Sequence, residues 1–239
     1  MSDPTSNLIK ADGEEVSNAT LKAFTEALTG IAASDKKEWA LSFGYLLQRV
    51  RGGKLLKTFN DEWAKYRKKG KIKDDYLATE QGLTCFQELL DSIDKDSPDE
   101  TKFLAMQAVL LAAGEEKLED RDSVLPQQLM RICRQLASGE VLVLMASYDI
   151  WIKRDFPQPQ GGPVLSGNKR DWTSKVVART GLRFPELVQT HERTLVEKCL
   201  LSEHRYGDES GFELTEHYRL TRLGHSLCDF IARGKHLDD

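Results

Sequence analysis

The 239-residue chain lacks any apolar run long enough to cross a bilayer. Its longest apolar runs, Val109–Ala113 and Val141–Ala146, fall far short of the roughly 20 residues that a membrane-spanning helix needs. The first fifteen residues are polar and acidic, which excludes a secretory signal there. We therefore expect an intracellular, cytoplasmic protein with no transmembrane segment.

Cysteine is also scarce, and its spacing is wrong for a disulfide or metal framework. The four cysteines, Cys85, Cys133, Cys199 and Cys228, lie far apart and each sits among apolar residues. This pattern predicts buried free thiols in a reducing compartment. His225 and Cys228 form an H-x-x-C pair, which could be half of a zinc site, but no second half follows at a compatible spacing. We therefore predict no metal site.

Recognisable catalytic patterns are missing as well. The chain contains no G-x-S-x-G, H-E-x-x-H, P-loop or G-x-G-x-x-G sequence. Paired acids such as Asp74–Asp75 and Glu115–Glu116 lie in charge-rich segments, where solvated helix faces explain them. We predict a non-enzymatic protein without a cofactor, and an enzyme with an unrecognised site stays open as a third alternative.

What the chain does contain is helical periodicity. After a predicted tail at 1–14, apolar residues recur at helical spacing through a predicted domain at 15–154. Two helices are predicted before residue 50, and Arg51–Lys54 (RGGK) is predicted to interrupt the helical spacing of apolar residues. Ser97 or Asp99 can cap a later helix that stops near Gly114. The other predicted helices carry Leu55 to Tyr66 or cover 76–93, 126–136 and 139–153.

A change of composition marks the clearest boundary. Residues 155–170 include three of the seven prolines and three glycines, which predicts a linker or a long loop. After it, Asp171 is predicted to be the N-cap of a short helix that Gly181 closes. Pro185 suits the first turn of the next helix, which is predicted to end near Leu200.

Strand chemistry then changes to helix chemistry at Thr221. Gly207–Gly211 (GDESG) predicts the turn of a β-hairpin, and the returning strand places Phe212, Leu214, Tyr218 and Leu220 on one face. Thr221 is predicted to cap a final helix, in which Gly224 permits close packing. The apolar stripe of that helix consists of Leu223, Leu227, Phe230 and Ile231.

The order helix, turn, helix, hairpin, helix resembles a winged helix followed by one extra helix. The sequence Tyr218–Leu227 (YRLTRLGHSL) is similar to the strand-to-helix corner that follows the wing in many winged-helix proteins. The expected fold is mainly α: a helical N-terminal domain, then a small winged-helix-like α+β domain at 171–232 with one β-hairpin. Residues 233–239 are predicted to be a tail.

A second resemblance covers the helical domain. Asp99–Glu116 (DETKFLAMQAVLLAAGEE), followed by Leu125–Ile150, resembles the bacterial abortive-infection alpha-type family of helical proteins. Gln135–Ser138 (QLAS) resembles a turn of that family, with Ala137 in place of a polar residue. The resemblance implies a role in bacterial defence against phage through protein contacts. It carries no catalytic residue to transfer.

The strongest charge feature is a basic stretch at 49–73. Ten basic residues face only Asp61 and Glu62, a net charge of +8, although the whole chain carries −4. Trp63 and Tyr66 are interleaved and would suit stacking or phosphate contact. The alternative is a solvated helix whose aromatic residues face the core and whose charges pair with the acidic segment at 74–123. The basic residues are Arg49, Arg51, Lys54, Lys57, Lys65, Arg67, Lys68, Lys69, Lys71 and Lys73.

The winged-helix-like segment has two possible uses. A winged helix often binds DNA, and Gln189, Thr190 and Arg193 of its second helix could contact base edges. However, residues 172–231 carry eight basic and nine acidic residues, so little phosphate neutralisation is available. We therefore predict an interaction protein of bacterial or phage origin whose partner is another protein or a second copy. A DNA-binding regulator is the alternative, and a nucleic acid or an anionic membrane surface stays a possible partner of the basic stretch.

Overall fold

The computed structural model describes residues 50–96, 99–115, 124–153, 169–202, 205–208, 211–214 and 219–237. The predicted tail at 1–14, the two helices predicted before residue 50, Arg49 and most of the predicted linker lie outside these ranges. The side chains of residues 50–52, 169–171 and both strands are also outside the description.

The described residues are mainly helical, which confirms the predicted class. None of the described helices combines the length and the apolar character needed to cross a membrane. The elements are α1 (Val50–Lys68), a 3-10 turn (Tyr76–Ala78), α2 (Glu80–Asp94), α3 (Glu100–Ala113), α4 (Leu125–Arg134), α5 (Ser138–Ile152), α6 (Lys169–Thr180), α7 (Pro185–Glu197), β1 (Arg205–Asp208), β2 (Gly211–Leu214) and α8 (Arg222–Lys235).

The chain divides into two compact units. The first unit comprises Met1–Arg134 and Arg233–Asp239, and the second comprises Gln135–Ala232. Helix α5 therefore belongs to the second unit, whereas the domain boundary predicted at 155–170 assigns it to the first. The reason is visible in its sequence, because α5 is apolar on most sides and Val141, Val143, Leu144 and Ile150 are all buried.

The first unit is built around an aromatic core on one face of α1. The ring centroids of Phe59 and of Phe86 in α2 are 5.6 Å apart, and those of Trp63 and Tyr76 are 6.4 Å apart. The predicted break at Arg51–Lys54 is wrong, because this segment forms the first turns of α1. Each glycine in a helix costs about 1 kcal/mol relative to alanine, and burial of Leu56, Phe59 and Trp63 along the same helix outweighs that cost.

Local caps end and begin the helices of this unit. Thr79 accepts a hydrogen bond from the Gly82 amide at 3.0 Å, so the helix predicted at 76–93 is divided into a 3-10 turn and α2. Asp99 accepts from the Lys102 amide at 3.2 Å and caps α3, as predicted, and Gly114 ends that helix.

The residues predicted as a C-terminal tail are partly helical. Helix α8 continues to Lys235, and Leu237 beyond it is only 6% exposed. Gly234 lies so close to Ala108 of α3 that an added Cβ would overlap the Ala108 carbonyl oxygen. Arg233 pairs with Glu115. Residues 233–237 therefore contribute to the packing of the first unit.

In the second unit, two left-handed residues shape the ends of α6 and α7. Gly181 has a φ of +70° and closes α6, as predicted. The predicted cap at Asp171 is wrong, because α6 already begins at Lys169. Cys199, with a φ of +57°, follows α7, although a non-glycine residue in this region costs roughly 1–2 kcal/mol.

Strands β1 and β2 pair antiparallel, with Arg205 opposite Leu214 and Asp208 opposite Gly211. The strands thus include residues at both ends of the predicted turn and leave two residues, Glu209 and Ser210, between them. Before and after the strands, Leu201 pairs with Leu220, and the Ser202 amide donates to the Arg219 carbonyl at 2.7 Å.

The corner at Thr221 is confirmed as the start of α8. The Thr221 hydroxyl accepts from the Gly224 amide at 3.0 Å and donates to the carbonyl of Cys199 at 2.7 Å. Gly224 lies against the Leu200 carbonyl, where a Cβ would overlap the oxygen. One hydroxyl therefore caps α8 and anchors the residue that holds the unfavourable φ. Leu227, Phe230 and Ile231 are buried as predicted, and Leu223 is half-buried.

We expect Thr221→Ala to lower the free energy of unfolding by about 1–2 kcal/mol, because it removes a helix cap and the bond to Cys199. Urea unfolding measures this change. Thr190→Ala is the matched control, since the Thr190 hydroxyl is exposed within α7 and bonds only to its own helix. Equal effects of the two substitutions would contradict the anchoring role.

Candidate interaction surfaces

The described part of the basic stretch forms one exposed stripe along α1. Lys54, Lys57, Lys65 and Lys68 are exposed, and their spacing places them on one side of the helix together with Asp61. At about 1.5 Å per residue, this stripe is about 21 Å long from Lys54 to Lys68. The exposed Lys69 and Lys71 extend it beyond the helix end. We call these six lysines the α1 stripe.

The two aromatic residues of the basic stretch face the core rather than solvent. Trp63 is 2% exposed and Tyr66 is 5% exposed. A nucleic-acid base could stack on either ring only if α1 left its own core. Trp63 and Tyr66 therefore pack in the core, as in the alternative of a solvated helix whose aromatic residues face the core.

The other predicted basic residues differ in their surroundings. Arg67 is half-buried, and its Nε donates to Asp74 at 2.7 Å. Lys73 is half-buried too. Arg49 lies outside the described residues, as does the side chain of Arg51, so neither can be placed on the stripe.

Among the described acidic residues of the segment at 74–123, Glu88, Asp91 and Asp96 pair with cations outside the basic stretch. Arg134 of α4 contacts Glu88 at 2.8 Å, Asp91 at 3.3 Å and Asp96 at 3.4 Å. Lys102 also contacts Asp96, at 3.2 Å. Although burial opposes the shift, the bonds from Lys102 and Arg134 hold the pKa of Asp96 below its usual value. This cluster joins α2, α3 and α4.

The internal pairing that the sequence suggested is present in part among the described residues. Arg67–Asp74 is an ion pair between the basic stretch and the acidic segment. Within the described residues, Lys54, Lys57, Lys68 and Lys71 form no ion pair. Their charge is available for an external anion.

A second surface lies on the outward face of α7. Gln189, Thr190 and Arg193, the residues considered for base contacts, are all exposed on this helix, and so are Glu186 and Glu197. The structure thus brings the predicted residues together but places two carboxylates among them. A DNA duplex would meet like charge at both.

Two large apolar side chains are exposed at the start of the same helix. Phe184 is 62% exposed and Leu187 is 43% exposed. Neither residue was predicted as a contact residue from the sequence, because only the polar side chains of this helix were considered as candidates. Phe184 lies four residues before Val188 and continues the spacing of the buried face, so periodicity alone predicts its burial, whereas Leu187 departs from that spacing.

A buried ion pair holds the inner face of α7. Glu192, 6% exposed, pairs with Arg219, which is 3% exposed and whose guanidinium also donates to the Ser202 carbonyl at 2.7 and 3.1 Å. The Arg219 guanidinium lies 5.8 Å from the centre of the Trp172 ring. Burial lowers the pKa of Arg219 to about 10, so the side chain is still charged at neutral pH and needs its partner.

The sequence contained one signal for this pair. Val188, Glu192 and Leu195 recur at the spacing of a buried helix face, and a carboxylate at the central position requires a cation nearby. The partner could not be identified from spacing, because Arg219 lies beyond the hairpin.

The chemistry available to the thiols and histidines is limited. Burial raises the pKa of Cys85 and of Cys133 to about 12, which keeps both protonated. The prediction that all four thiols are buried is wrong for Cys199, which is exposed. His225 contacts the Trp151 ring at 4.6 Å, and the described residues contain no group of side chains with the composition of a metal site.

No protein-family model, curated protein or solved structure matches this chain. The resemblances to winged-helix proteins and to the abortive-infection alpha-type family therefore stay predictions.

We expect Glu192→Gln or Arg219→Met to destabilise the protein by about 3–5 kcal/mol, because each leaves a buried charge without its partner. Urea unfolding of both variants and of Glu192→Gln/Arg219→Met measures the coupling between the two side chains. The double variant should lose far less than the sum of the single losses. Additive losses would show that the pair does not act as a unit, and Arg193→Met on the exposed face is the control.

We expect one thiol to react with a disulfide reagent in the native protein and four to react in denaturant. Cys199 is exposed, whereas Cys85, Cys133 and Cys228 are buried. Mildly alkaline pH leaves Cys85 and Cys133 protonated because of their raised pKa. Cys199→Ser should abolish the native reaction, and a remaining fast thiol would contradict the burial of the other three.

Proposed function

We propose that this protein acts through protein–protein contacts made by the outward face of α7, within a winged-helix-like unit. The single observation that carries the proposal is the exposure of Phe184 and Leu187 at the start of α7. Large apolar side chains in the centre of a contact surface contribute most of the binding free energy in many complexes.

The winged-helix-like assignment rests on the order of the elements. Helices α6 and α7 precede an antiparallel hairpin, and α8 begins at Thr221 directly after the returning chain. In such a unit α7 holds the position that recognition helices occupy in DNA-binding members. Phe184 and Leu187 would therefore lie where a groove of DNA would otherwise meet the helix.

The charges of this surface favour a protein over DNA. Glu186 and Glu197 flank Arg193, so the exposed face carries no excess of positive charge. The hairpin sequence adds Asp208 and Glu209. A DNA-binding wing needs cations for phosphates, whereas an apolar patch with mixed charges at its rim is typical of protein contacts.

The matching partner surface has an apolar pocket for Phe184 and Leu187, with a polar rim. The biological setting, bacterial defence against phage, is a further part of the proposal and rests on the resemblance of Asp99–Glu116 and Leu125–Ile150 alone. The mechanism needs no group transfer by this chain, because docking through α7 is itself the proposed action.

The test is affinity capture from a bacterial lysate, with and without nuclease, using two variants of α7. We expect Phe184→Ala/Leu187→Ala to reduce capture of nuclease-resistant partners by at least about tenfold, which corresponds to about 1.4 kcal/mol. Gln189→Ala/Arg193→Ala is the matched control and should retain the partners.

Two results would overturn this proposal. Capture that disappears with nuclease and depends on Gln189 and Arg193 would favour the DNA-binding alternative. Capture of the same proteins by the Phe184→Ala/Leu187→Ala variant would exclude the apolar patch as the contact. Sedimentation of the purified chain separates a second copy from a different protein as the partner, and melting temperatures confirm that both variants are folded.

A further inference from the structure

We propose that the α1 stripe binds the phosphate backbone of double-stranded nucleic acid, without reading its sequence. This is a second interaction surface, on the first unit, and it does not depend on the function proposed for α7. The observations that carry it are the exposure and alignment of its lysines, and the lack of a carboxylate partner for Lys54, Lys57 and Lys68 among the described residues.

The alignment of the lysines matches an extended polyanion. Lys54, Lys57, Lys65 and Lys68 lie on one side of α1 over about 21 Å. Duplex DNA carries one phosphate charge per roughly 1.7 Å of its axis, so several phosphates lie within reach of such a row. Asp61, also exposed, is an acid on this side of the helix.

The pairing pattern of the first unit leaves this charge uncompensated. Acids of the neighbouring segment are held by Arg134 and Lys102, as described above. In contrast, Lys54, Lys57 and Lys68 have no carboxylate partner among the described residues. Charge at exposed lysines contributes little to stability, so it is free to act in binding.

The absence of exposed aromatic residues on the described part of α1 selects a duplex over a single strand. Proteins that bind single strands without sequence preference combine cations with aromatic side chains on which bases stack. Trp63 and Tyr66 are buried. Bases therefore cannot stack on either ring while α1 keeps its core, and of the two forms of nucleic acid a duplex has the higher charge density.

The same surface is poorly suited to a membrane. An interfacial helix inserts apolar side chains below the headgroups while its cations face the lipid phosphates. On the exposed side of α1, the apolar side chain is Ala64, next to Lys65, and the large apolar residues Leu56 and Phe59 are buried in the core.

The test is fluorescence anisotropy with a short duplex DNA, a duplex RNA and the corresponding single strand, over about 50 to 200 mM salt. We expect the full chain to bind both duplexes more tightly than the single strand, with affinity that falls steeply as salt rises. Lys54→Glu/Lys57→Glu/Lys68→Glu should weaken duplex binding at low salt by more than about tenfold. It should also reduce the slope of log affinity against log salt by about 2–3, since about 0.9 counterions are released per contact.

Three further proteins make the result specific. Lys54→Gln/Lys57→Gln/Lys68→Gln should weaken binding in the same direction, which keeps the test valid if charge reversal disturbs folding. Lys54→Arg/Lys57→Arg/Lys68→Arg should retain binding. Arg183→Glu/Arg193→Glu/Arg222→Glu removes the same charge from exposed positions of the second unit and should bind like the wild type.

Each remaining outcome overturns the proposal. A wild-type chain that does not bind duplexes at low salt, with a reversal variant that melts earlier or loses a dimer, would assign the stripe to internal or homo-oligomeric pairing. Binding to vesicles of phosphatidylcholine and phosphatidylserine without duplex binding would assign it to an anionic membrane. Loss of binding in the Arg183/Arg193/Arg222 variant alone would place the nucleic-acid contact on α7.

Discussion

The buried pair of Glu192 and Arg219 is the constraint on which the second unit depends. Two charges removed from water are tolerated only where each meets the other and further polar groups, and here Arg219 also donates to the Ser202 carbonyl. One side chain therefore connects α7 to both chain segments at the base of the hairpin. At the adjacent corner one side chain also makes two contacts. The Thr221 hydroxyl caps α8 and donates a hydrogen bond to the carbonyl of Cys199, the residue with the left-handed conformation. Fixing the inner face of α7 leaves its outer face, with Phe184 and Leu187, rigidly presented.

In the first unit, the ion pairs of Arg134 are partly exposed rather than buried. Arg134 of α4 forms ion pairs with Glu88 and Asp91 of α2 and with Asp96 just after it. These pairs join α2 to α4 and are partly shielded from water. Partly shielded pairs are more persistent than exposed ones, where salt and side-chain entropy remove most of the gain. The acids held there are unavailable to α1. The local excess of positive charge on the α1 stripe is thus a consequence of how the acids are used elsewhere in the same unit.

Sequence periodicity identified most described helices, because their apolar residues recur at a helical spacing and their caps are local. Asp99, Gly181 and Thr221 each act within a few residues of their position, and the first two end or begin helices much as predicted. The break predicted at Gly52 and Gly53 failed, since the burial of Phe59 and Trp63 depends on distant α2. The same reason limited the sites: the exposed residues of α7 follow from periodicity, but the partner of Glu192 lies across the hairpin. Long-range contacts of this kind leave no fixed spacing in a sequence.

The overall acidity of the chain makes the two surfaces more specific rather than less. With a net charge of −4, the protein as a whole repels a polyanion at long range, whereas the α1 stripe proposed to bind one offers a local attraction. A duplex could therefore approach in few orientations, and its affinity would be sensitive to salt. The α7 face behaves in the opposite way, because apolar contacts of Phe184 and Leu187 are hardly weakened by ions. For the two proposed contacts, a change in ionic strength would therefore alter the affinity for a duplex and leave the apolar contact nearly constant.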